Sequence, residues 1–254
     1  MRGNFKDLNY FMFFLGHGKS GHTLVRSVLD AHPNIILSND YNIFKQLDEN
    51  KINSKHQLFK DLLTRSTSFT ESGCRATGYS YRIPSSYQGK FETIKVIGDK
   101  RGRSSASKIS SNPQLILDLQ NTVNIPVKVL HIIRNPFDVV ASYFKRKDAL
   151  VKYSRKHIAE IRDLTKSIKL LEERYIPVLN ITHEEFVLDF DTTVLKILTF
   201  LDLEGSLDYI KQCKSIINKK PVKHRLDIKW PKDIVRTWNI LIKKTDFLNG
   251  YTLT

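Results

Sequence analysis

The sequence predicts an α/β fold of three layers, in which helices flank both faces of a central parallel sheet. Short apolar runs alternate with segments of helical periodicity along the chain, which is typical of β-α-β units. The run over residues 126–133 is rich in β-branched residues, as expected for a parallel strand buried on both faces. The chain has 254 residues and 41% hydrophobic content, enough for a sizeable core. We therefore expect a single domain over residues 1–254.

The first predicted strand covers residues 10–15 and leads into a glycine-rich turn, residues 16–23, with the sequence GHGKSGHT. A strand, such a turn and a helix together form the layout of a phosphate cradle, so the fold is expected to be P-loop NTPase-like. His22 occupies the position at which a nucleoside triphosphatase has its lysine, whereas the lysine of this chain, Lys19, lies inside the turn. The helix after the turn is predicted over residues 22–31, because a proline follows closely.

The middle of the chain is less regular. Apolar residues at helical spacing predict helical pieces over residues 43–63. Residues 64–89 are rich in Ser, Thr, Gly and Tyr, and they form either a mobile loop that faces the substrate or irregular surface. A short strand over residues 93–98 is predicted to deliver Asp99 and Lys100 at its end.

The second half of the chain continues the alternation. Helices are predicted over residues 115–119, 153–174, 192–201 and 233–244, and strands over residues 126–133 and 176–181. The boundary after the strand that ends near residue 133 is the best signalled. Asn135 suits the N-cap of a helix, Pro136 its first position and Asp138 the positive end of its dipole.

Three segments are expected to meet where such sheets bind ligands, beyond the carboxyl ends of the strands: residues 16–23, 99–103 and 134–142. The backbone N–H groups of the first segment suit a phosphate, unless the turn is only a tight strand–helix connection. Arg134 and Ser142 lie about two helical turns apart and are predicted to share a second anion site, suited to a phosphomonoester. The alternative is an arginine that caps the sheet edge.

Two of these segments resemble a known family. Residues 18–26, together with residues 29–33, resemble the 5′-phosphosulfate loop and following helix of the sulfotransferase family, and residues 131–142 resemble its 3′-phosphate motif. Both motifs occur in the family's order. The resemblance implies that 3′-phosphoadenosine 5′-phosphosulfate is the donor. It also implies the residues that bind this donor, which are Gly18, Lys19, Ser20, Gly21, His22, Thr23, Arg134 and Ser142.

Sulfuryl transfer needs positioning and charge stabilisation, and in principle no metal. We assign Lys19 to stabilising the charge that grows on the bridging oxygen and the departing 5′-phosphate. Asp40 is the first candidate for the base that takes the acceptor's proton, because in relatives resembling the tyrosylprotein and glycan sulfotransferases an acidic residue follows the first helix at about this distance. Its alternative is an ordinary turn residue. By its Gly-Asp-Lys resemblance, Lys100 holds the transferring sulfonate, unless it is a surface lysine.

Other residues near these motifs have weaker support. His17 and His22 are rival bases, ranked lower because most isolated histidines are structural. His22 also departs from the family pattern, which more often has threonine there. Residues 223–225 and Trp230 form either a flap over the nucleotide or a charged loop without function.

The formal net charge of +15 and the isoelectric point near 9.7 imply an anionic partner, unless the lysines only form a solvated surface. Nucleic acid, a membrane surface and a polyanionic small molecule are the candidates. A P-loop kinase or nucleoside triphosphatase predicts Mg²⁺ dependence and an aspartate at a strand end, but Arg134 ends the buried strand. A nucleic-acid-binding protein predicts aromatic residues interleaved on a basic stripe, or a reading helix, and the sequence shows neither.

Cys74 and Cys213 are far apart and lack a nearby histidine pattern, which indicates neither a disulfide framework nor a zinc site. The apolar run before Gly16 has only six residues, too short for the core of a signal peptide or for a membrane span. We therefore expect a cytoplasmic enzyme with a small-molecule acceptor and without a nucleic-acid or membrane partner. No motif specifies a hydroxyl or an amine acceptor, or the oligomeric state.

Overall fold

The structure is a computed structural model that describes residues 5–76, 78–143 and 149–254. Its strands are β1 (Tyr10–Gly16), β2 (Ile35–Asn39), β3 (Arg75–Ala76), β4 (Tyr79–Ser80), β5 (Val96–Lys100), β6 (Val127–Ile133) and β7 (Val178–Thr182). Its helices are α1 (His22–Leu29), α2 (Ile43–Asp48), α3 (Lys55–Glu71), α4 (Gly102–Ser111), α5 (Gln114–Val123), α6 (Pro136–Ser142), α7 (Ala149–Glu172), α8 (His183–Leu188), α9 (Phe190–Phe200), α10 (Leu207–Lys214) and α11 (Lys232–Lys243). Short 3₁₀ turns cover His224–Asp227 and Asp246–Leu248.

Strand β1 lies at the centre of the main sheet. The strand order is β2-β5-β1-β6-β7, and every neighbouring pair is parallel. Phe13 is paired with Asp99 on one side and with Val129 on the other, so the turn after β1 lies between the ends of β5 and β6. A Cβ at Gly98 would collide with the carbonyl oxygen of Met12, so this close strand pairing requires glycine. The predicted parallel sheet is confirmed.

Helices cover both faces of this sheet. Successive residues of β1 point to opposite faces, so Met12 and Phe14 enter one core while Phe11 and Phe13 enter the other. All four side chains are at most 1% exposed. Helices α1 and α9 pack on the first face, and α3, α4 and α5 pack on the second. The predicted three-layer α/β architecture is confirmed.

Helix α3 corrects the prediction for residues 64–89. The helix continues to Glu71, past the residue at which a loop is predicted. Ser66 is fully buried, and its hydroxyl donates to Asp30 of α1 at 2.7 Å, so a polar residue of this segment gains its partner only in the folded helix pair. The small antiparallel hairpin of β3 and β4 follows. Residue 77, which belongs to the same predicted segment, lies outside the described residues.

Elements β2 and α4 are among those missing from the sequence prediction, which also lacks β3, β4, α8 and α10. The apolar part of β2 is only three residues long, which is too short to show a period. Of the ten residues of α4, only Ala106 and Ile109 are apolar, and both are buried. The hydroxyl of Ser167 on α7 donates to the carbonyl oxygen of Ala106 at 2.8 Å. Tertiary contacts rather than intrinsic propensity therefore stabilise this helix.

The boundary between β6 and α6 agrees with its prediction. The side chain of Asn135 accepts a hydrogen bond from the backbone N–H of Phe137 at 3.0 Å. Pro136 is the first helical residue, and Asp138 lies in the first turn. The helices and strands expected further along the chain are also present, with ends shifted by a few residues.

Cys74 and Cys213 are buried and free of disulfides, as predicted. Among the helices in the described ranges, none is both long enough and apolar enough to cross a membrane. Residues 1–4, which belong to the segment considered above for a leader, lie outside the described part of the chain.

Candidate functional site

Three segments that follow strands meet at one edge of the sheet. We call residues 16–23, the turn after β1, the anion loop. At the end of β5, Lys100 Nζ lies 3.3 Å from Thr23 Oγ1 of this loop. At the end of β6, Arg134 Nη1 donates to the carbonyl oxygen of Lys19 at 2.8 Å. This edge carries the carboxyl ends of parallel strands, where α/β sheets bind ligands, and it is the candidate site.

The backbone of the anion loop is unusual. Lys19 and Gly21 both have positive φ, at +69° and +91°. A Cβ at Gly18 would collide with the hydroxyl oxygen of Tyr143, so any other residue there would require the Tyr143 side chain to move. The hydroxyl of Ser20 is fully buried and makes no hydrogen bond to any residue that the structure describes. The loop therefore offers a hydroxyl that an oxyanion can use, in a turn with little side-chain bulk.

Helix α1 adds its N-terminus to the anion loop. Its N-cap is Gly21, which has no side chain to satisfy the first N–H groups of the helix. These N–H groups and the helix dipole favour a bound anion. The Lys19 side chain is exposed, with its Nζ 5.7 Å from the centre of the Tyr143 ring. The loop, the helix end and the lysine thus combine three sources of positive potential.

The side chain of His22 is turned away from this anion-binding surface. Its Nε2–H donates to the carbonyl oxygen of Leu15 at 3.1 Å, inside the fold. A Cβ at Gly16 or at Gly102 would collide with the same Nε2, so the imidazole fills the space between these glycines. Burial lowers the pKa of His22 to about 3. The prediction that His22 contacts the donor is therefore corrected for its side chain, and its pKa is too low for the rival base.

Beside the anion loop, Asp40 forms ion pairs with two cations. Its Oδ1 lies 3.0 Å from Lys100 Nζ and 3.0 Å from Arg101 Nη1. The Lys100 side chain is 8% exposed, whereas that of Asp40 is 38% exposed and faces solvent more openly. Because Lys100 also contacts Thr23, it connects Asp40 with the anion loop. The structure thus brings together two predicted residues and adds Arg101, which the sequence reasoning missed.

The charges of this cluster shift its protonation equilibria. Partial burial alone would raise the pKa of Asp40, but the positive charges of Lys100 and Arg101 outweigh it and hold that pKa below its usual value. Burial lowers the pKa of Lys100, and the negative charge of Asp40 opposes this shift. Asp40 is therefore ionised at neutral pH and is able to accept a proton.

Asp99 holds the turn that carries Asp40. Its fully buried carboxylate accepts hydrogen bonds from Ser38 Oγ at 2.6 Å, from Tyr41 N at 3.0 Å and from Ile43 N at 3.0 Å. Asp40 itself has φ +63°, in the left-handed region that non-glycine residues rarely adopt. The buried carboxylate therefore fixes a strained turn. The Gly-Asp-Lys sequence at the end of β5 was the available signal for this role.

Arg134 joins the anion loop to a later loop. It is 8% exposed, and its Nη2 donates to the carbonyl oxygen of Val222 at 3.1 Å while its Nη1 donates to Lys19. A guanidinium has five N–H donors, so these two bonds leave donors for an anion. Arg134 is thus both a structural link and a cation at the site.

Ser142 lies at the far end of α6 from Arg134. Its hydroxyl donates to the carbonyl oxygen of Val139 at 2.8 Å. The seven residues of α6 span roughly 10 Å, and no direct contact joins Ser142 and Arg134, both of which are described residues. The predicted shared anion site is therefore not formed by contact in this structure, and Ser142 would have to turn its hydroxyl to donate to a ligand.

Arg225 and Trp230, considered above as parts of a flap, are anchored. Arg225 Nη1 lies 2.6 Å from Asp138 Oδ2, and both side chains are buried. Trp230 Nε1 donates to the carbonyl oxygen of Arg225 at 2.9 Å, and its ring packs edge-on against Phe137. These two residues fix the loop to α6 rather than leave it loose.

A cavity of about 520 Å³ lies between this loop, the C-terminal segment and the start of α6. Asn135 Nδ2 donates to the carbonyl oxygen of Thr252 at 2.8 Å and closes one side. The lining includes Asn135, Asp138, Lys220, Lys223, Arg225 and Tyr251. The volume suits a ligand of nucleoside size, and the charged lining residues are the cations Lys220, Lys223 and Arg225 and the acids Asp138 and Glu184.

A group of three metal-ligating side chains also lies beside the anion loop: His17, His157 and Glu160. Their ligand atoms lie within 4.8 Å of one another. Burial lowers the pKa of His17, which makes it a weak rival base at neutral pH. The sequence reasoning considered only cysteine patterns for a metal, and these three residues follow no short motif.

Similarity to solved structures is remote. The sulfotransferase domain of the Synechococcus PCC 7002 olefin synthase is 16% identical, with a TM-score of 0.45, and the match covers 94% of this chain and 90% of that one. Mouse sulfotransferase SULT7A1, solved with PAP, is 14% identical, with a TM-score of 0.48 and coverage of 94% and 86%. The sulfotransferase domain from the curacin biosynthetic pathway is 11% identical, with a TM-score of 0.49 and coverage of 92% of each chain. With TM-scores below 0.5, these structures are not used to assign a function to the chain.

The family assignment rests on sequence instead. No curated protein matches the chain. A family model described as "Sulfotransferase family" matches residues 12–207, which is more than half of the 254 residues and includes the anion loop, Asp40, Lys100 and Arg134. The chain belongs to the sulfotransferase family.

Proposed function

We propose that the protein moves a sulfuryl group from 3′-phosphoadenosine 5′-phosphosulfate to a hydroxyl or amine of a small-molecule acceptor. Family membership supports sulfuryl transfer in general. The observation that carries the finer proposal is the contact of Lys100 with both Thr23 and Asp40. It puts an anion-binding loop, a buried cation and a carboxylate on one small surface, and in-line transfer needs these groups held together.

The residues present fit this donor. The unpaired hydroxyl of Ser20, the N–H groups at the start of α1 and the Lys19 ammonium suit its 5′-phosphosulfate end. The remaining N–H donors of Arg134 suit a second anionic group, as its 3′-phosphate requires. When bound, the donor supplies the sulfuryl group and keeps the bridging oxygen on its 5′-phosphate. The cavity beside Arg225 is the proposed place for its nucleoside.

The protein's own groups then have distinct tasks. Lys19 neutralises the charge that grows on the departing phosphate. Asp40 takes the proton from the acceptor hydroxyl or amine as that atom forms its bond to sulfur. While Asp40 is paired with Lys100 and Arg101 its lowered pKa makes it a weak base. If Lys100 turns to the anionic sulfonate, Asp40 loses one cation and its pKa rises, so the same movement prepares both groups.

Calorimetric titration tests the donor assignment. We expect the adenosine bisphosphate product, 3′-phosphoadenosine 5′-phosphate, to bind without metal, and Arg134→Ala to weaken it at least tenfold. Arg236→Ala, an exposed arginine on α11, is the matched control and should bind like the wild type. Circular dichroism of each variant shows that it is folded. Tighter binding of ATP with Mg²⁺ would instead favour a P-loop kinase or nucleoside triphosphatase.

A further inference from the structure

Two buried histidines and a partly buried glutamate beside the anion loop have no task in the proposed sulfuryl transfer. His17 belongs to the loop and precedes Lys19 by two residues. His157 and Glu160 are three residues apart on α7, so they lie on one face of that helix. Both histidine side chains are at most 2% exposed, and the Glu160 side chain is 11% exposed. The cluster therefore joins the loop to α7 in a place that water barely reaches.

The distances within the cluster are those of a metal site. Glu160 Oε2 lies 2.8 Å from His157 Nδ1 and 3.9 Å from His17 Nδ1. Ligands of tetrahedral Zn²⁺ bond it at about 2.0–2.1 Å, which puts neighbouring ligand atoms about 3.3 Å apart. One of these distances is shorter and the other longer than that value, and all three ligand atoms lie within 4.8 Å of one another. The side chains would therefore have to move by about half an ångström or more to place all three atoms around one ion.

Unsatisfied nitrogens point to the same conclusion. Neither ring nitrogen of His17 has a hydrogen-bond partner in the described ranges. Buried polar atoms without partners are costly and rare in native proteins. A hydrogen bond between His157 and Glu160 alone leaves His17 unexplained.

The surroundings orient the carboxylate of Glu160. Arg103 Nη1 lies 3.5 Å from Glu160 Oε1, the oxygen that faces away from the histidines. This leaves Oε2 for the cluster, as outer partners do for ligating carboxylates. On the other side, the Tyr143 ring packs 5.0 Å from the His157 ring and covers it.

We propose that His17, His157 and Glu160 bind a divalent transition-metal ion, with Zn²⁺ the best match to their donor set. Two neutral imidazoles and one carboxylate are ligands that Zn²⁺ accepts. The ion ties the anion loop to α7 and stabilises the conformation that presents Lys19. This site is independent of the proposed donor and acceptor.

Cobalt titration of the chelator-treated protein tests the site. Co²⁺ bound by nitrogen and oxygen ligands absorbs visible light, and we expect this absorption to saturate at one equivalent and to vanish on addition of Zn²⁺. His157→Gln and Glu160→Gln should each weaken binding at least tenfold. His56→Gln, at an exposed histidine, is the matched control and should bind as the wild type does. Binding that survives in Glu160→Gln, or none at one equivalent in the wild type, overturns the proposal.

Thermal unfolding gives a second measurement that needs no variant. Zn²⁺ added at one equivalent beyond that needed to fill the site should raise the midpoint temperature of unfolding of the wild-type protein by roughly 5 °C. The reason is that the ion binds only the folded chain. Mg²⁺, which prefers oxygen ligands, should leave the midpoint unchanged. Equal midpoints with and without Zn²⁺ would overturn the proposal even if the variants failed to fold.

Discussion

At the level of single residues, the cations of the candidate site differ in whether they already have an acidic partner. Asp40 accepts from two cations, Lys100 and Arg101, while Lys19 faces solvent without an acidic partner among the residues described. An incoming anion would therefore meet one free ammonium at once and a second one only when Lys100 leaves Asp40. This difference separates the expected effects of the two lysines.

Replacing Lys19 by alanine should lower the turnover number roughly 10²- to 10³-fold, because its charge acts on the departing phosphate. Lys45→Ala is the matched control, since that lysine is half exposed and pairs only with Glu49 on the surface of α2. The measurement is release of 3′-phosphoadenosine 5′-phosphate from the donor in the presence of an acceptor found by screening. A turnover number within threefold of the wild type would remove Lys19 from the proposed chemistry.

Replacing Lys100 should change the pH dependence as well as the rate. In the wild type, cations hold the pKa of Asp40 below its usual value, so kcat/KM should begin to fall only at a pH below that expected for an unperturbed aspartate. In Lys100→Gln the burial of Asp40 is opposed by one cation fewer, its pKa rises, and the acid limb moves to higher pH.

The control is Lys108→Gln, which removes a surface lysine paired with Asp48. Asp40→Asn should keep nucleotide binding and lose turnover. An acid limb that stays in place in Lys100→Gln, or full turnover in Asp40→Asn, would show that Asp40 is not the base.

Residue patterns could predict the members of this site that follow strands directly. Lys19 and Lys100 could be predicted from the sequence because a glycine-rich turn marks the first and a strand end marks the second. His22 was misjudged because a spacing gives no information on which way a side chain points, and here two glycines leave room inside the fold. Asp99 was expected at the strand end, but its role was missed because its partners in the turn around Asp40 come 58 to 61 residues earlier and meet it only in the folded sheet.

At the level of elements, a buried ion pair fixes α1 to the sheet. Arg26 and Asp30 lie one turn apart with fully buried side chains, and Nη2 is 2.9 Å from Oδ2. Asp30 also accepts from the backbone N–H of Leu37 in β2 at 2.7 Å. Because α1 begins at the anion loop, this network also fixes the direction in which its N-terminus points.

Asp30→Asn should destabilise the fold by roughly 3–5 kcal/mol, because it leaves the Arg26 guanidinium buried without a counter-charge. Urea unfolding at neutral pH measures this difference. The matched control is Glu49→Gln, which breaks the exposed pairs with Lys45 and Lys51 and should cost less than about 1 kcal/mol. Equal losses in the two variants would mean that the buried network contributes no more than a surface pair.

Elements with a strong period or clear caps were predictable, and those held by distant contacts were not. Helix α6 has its N-cap, proline and first-turn acid within four residues, so local sequence defines it. Helix α4 has no such signal, and the carbonyl oxygen of its Ala106 accepts a hydrogen bond from the hydroxyl of Ser167 on α7. The polar part of α3 likewise stays helical because the Ser66 hydroxyl hydrogen-bonds to both members of the buried ion pair, Arg26 and Asp30.

At the level of the whole molecule, buried neutral histidines make stability depend on pH. Burial lowers the pKa of His22 to about 3, of His131 to about 4 and of His183 to about 3, and the positive charge of Arg134 adds to the shift of His183. Above their ordinary pKa near 6.5 these groups are neutral in both states and contribute no pH dependence. As the pH falls below 6.5, the unfolded chain takes up protons that the folded chain refuses, so the free energy of unfolding decreases.

We expect the free energy of unfolding to decrease between pH 7 and pH 5, by on the order of 2 kcal/mol for each such histidine. His131→Gln removes one of them, a ring 2.9 Å from Asn180 Oδ1, and should shrink the decrease by about that amount whatever it does to stability at pH 7. Urea unfolding at the two pH values gives both numbers for each protein. His56→Gln removes an exposed imidazole instead and should keep the full decrease. An unchanged pH dependence in His131→Gln would mean that this histidine accepts a proton in the folded state, with its neighbours rearranging to solvate it.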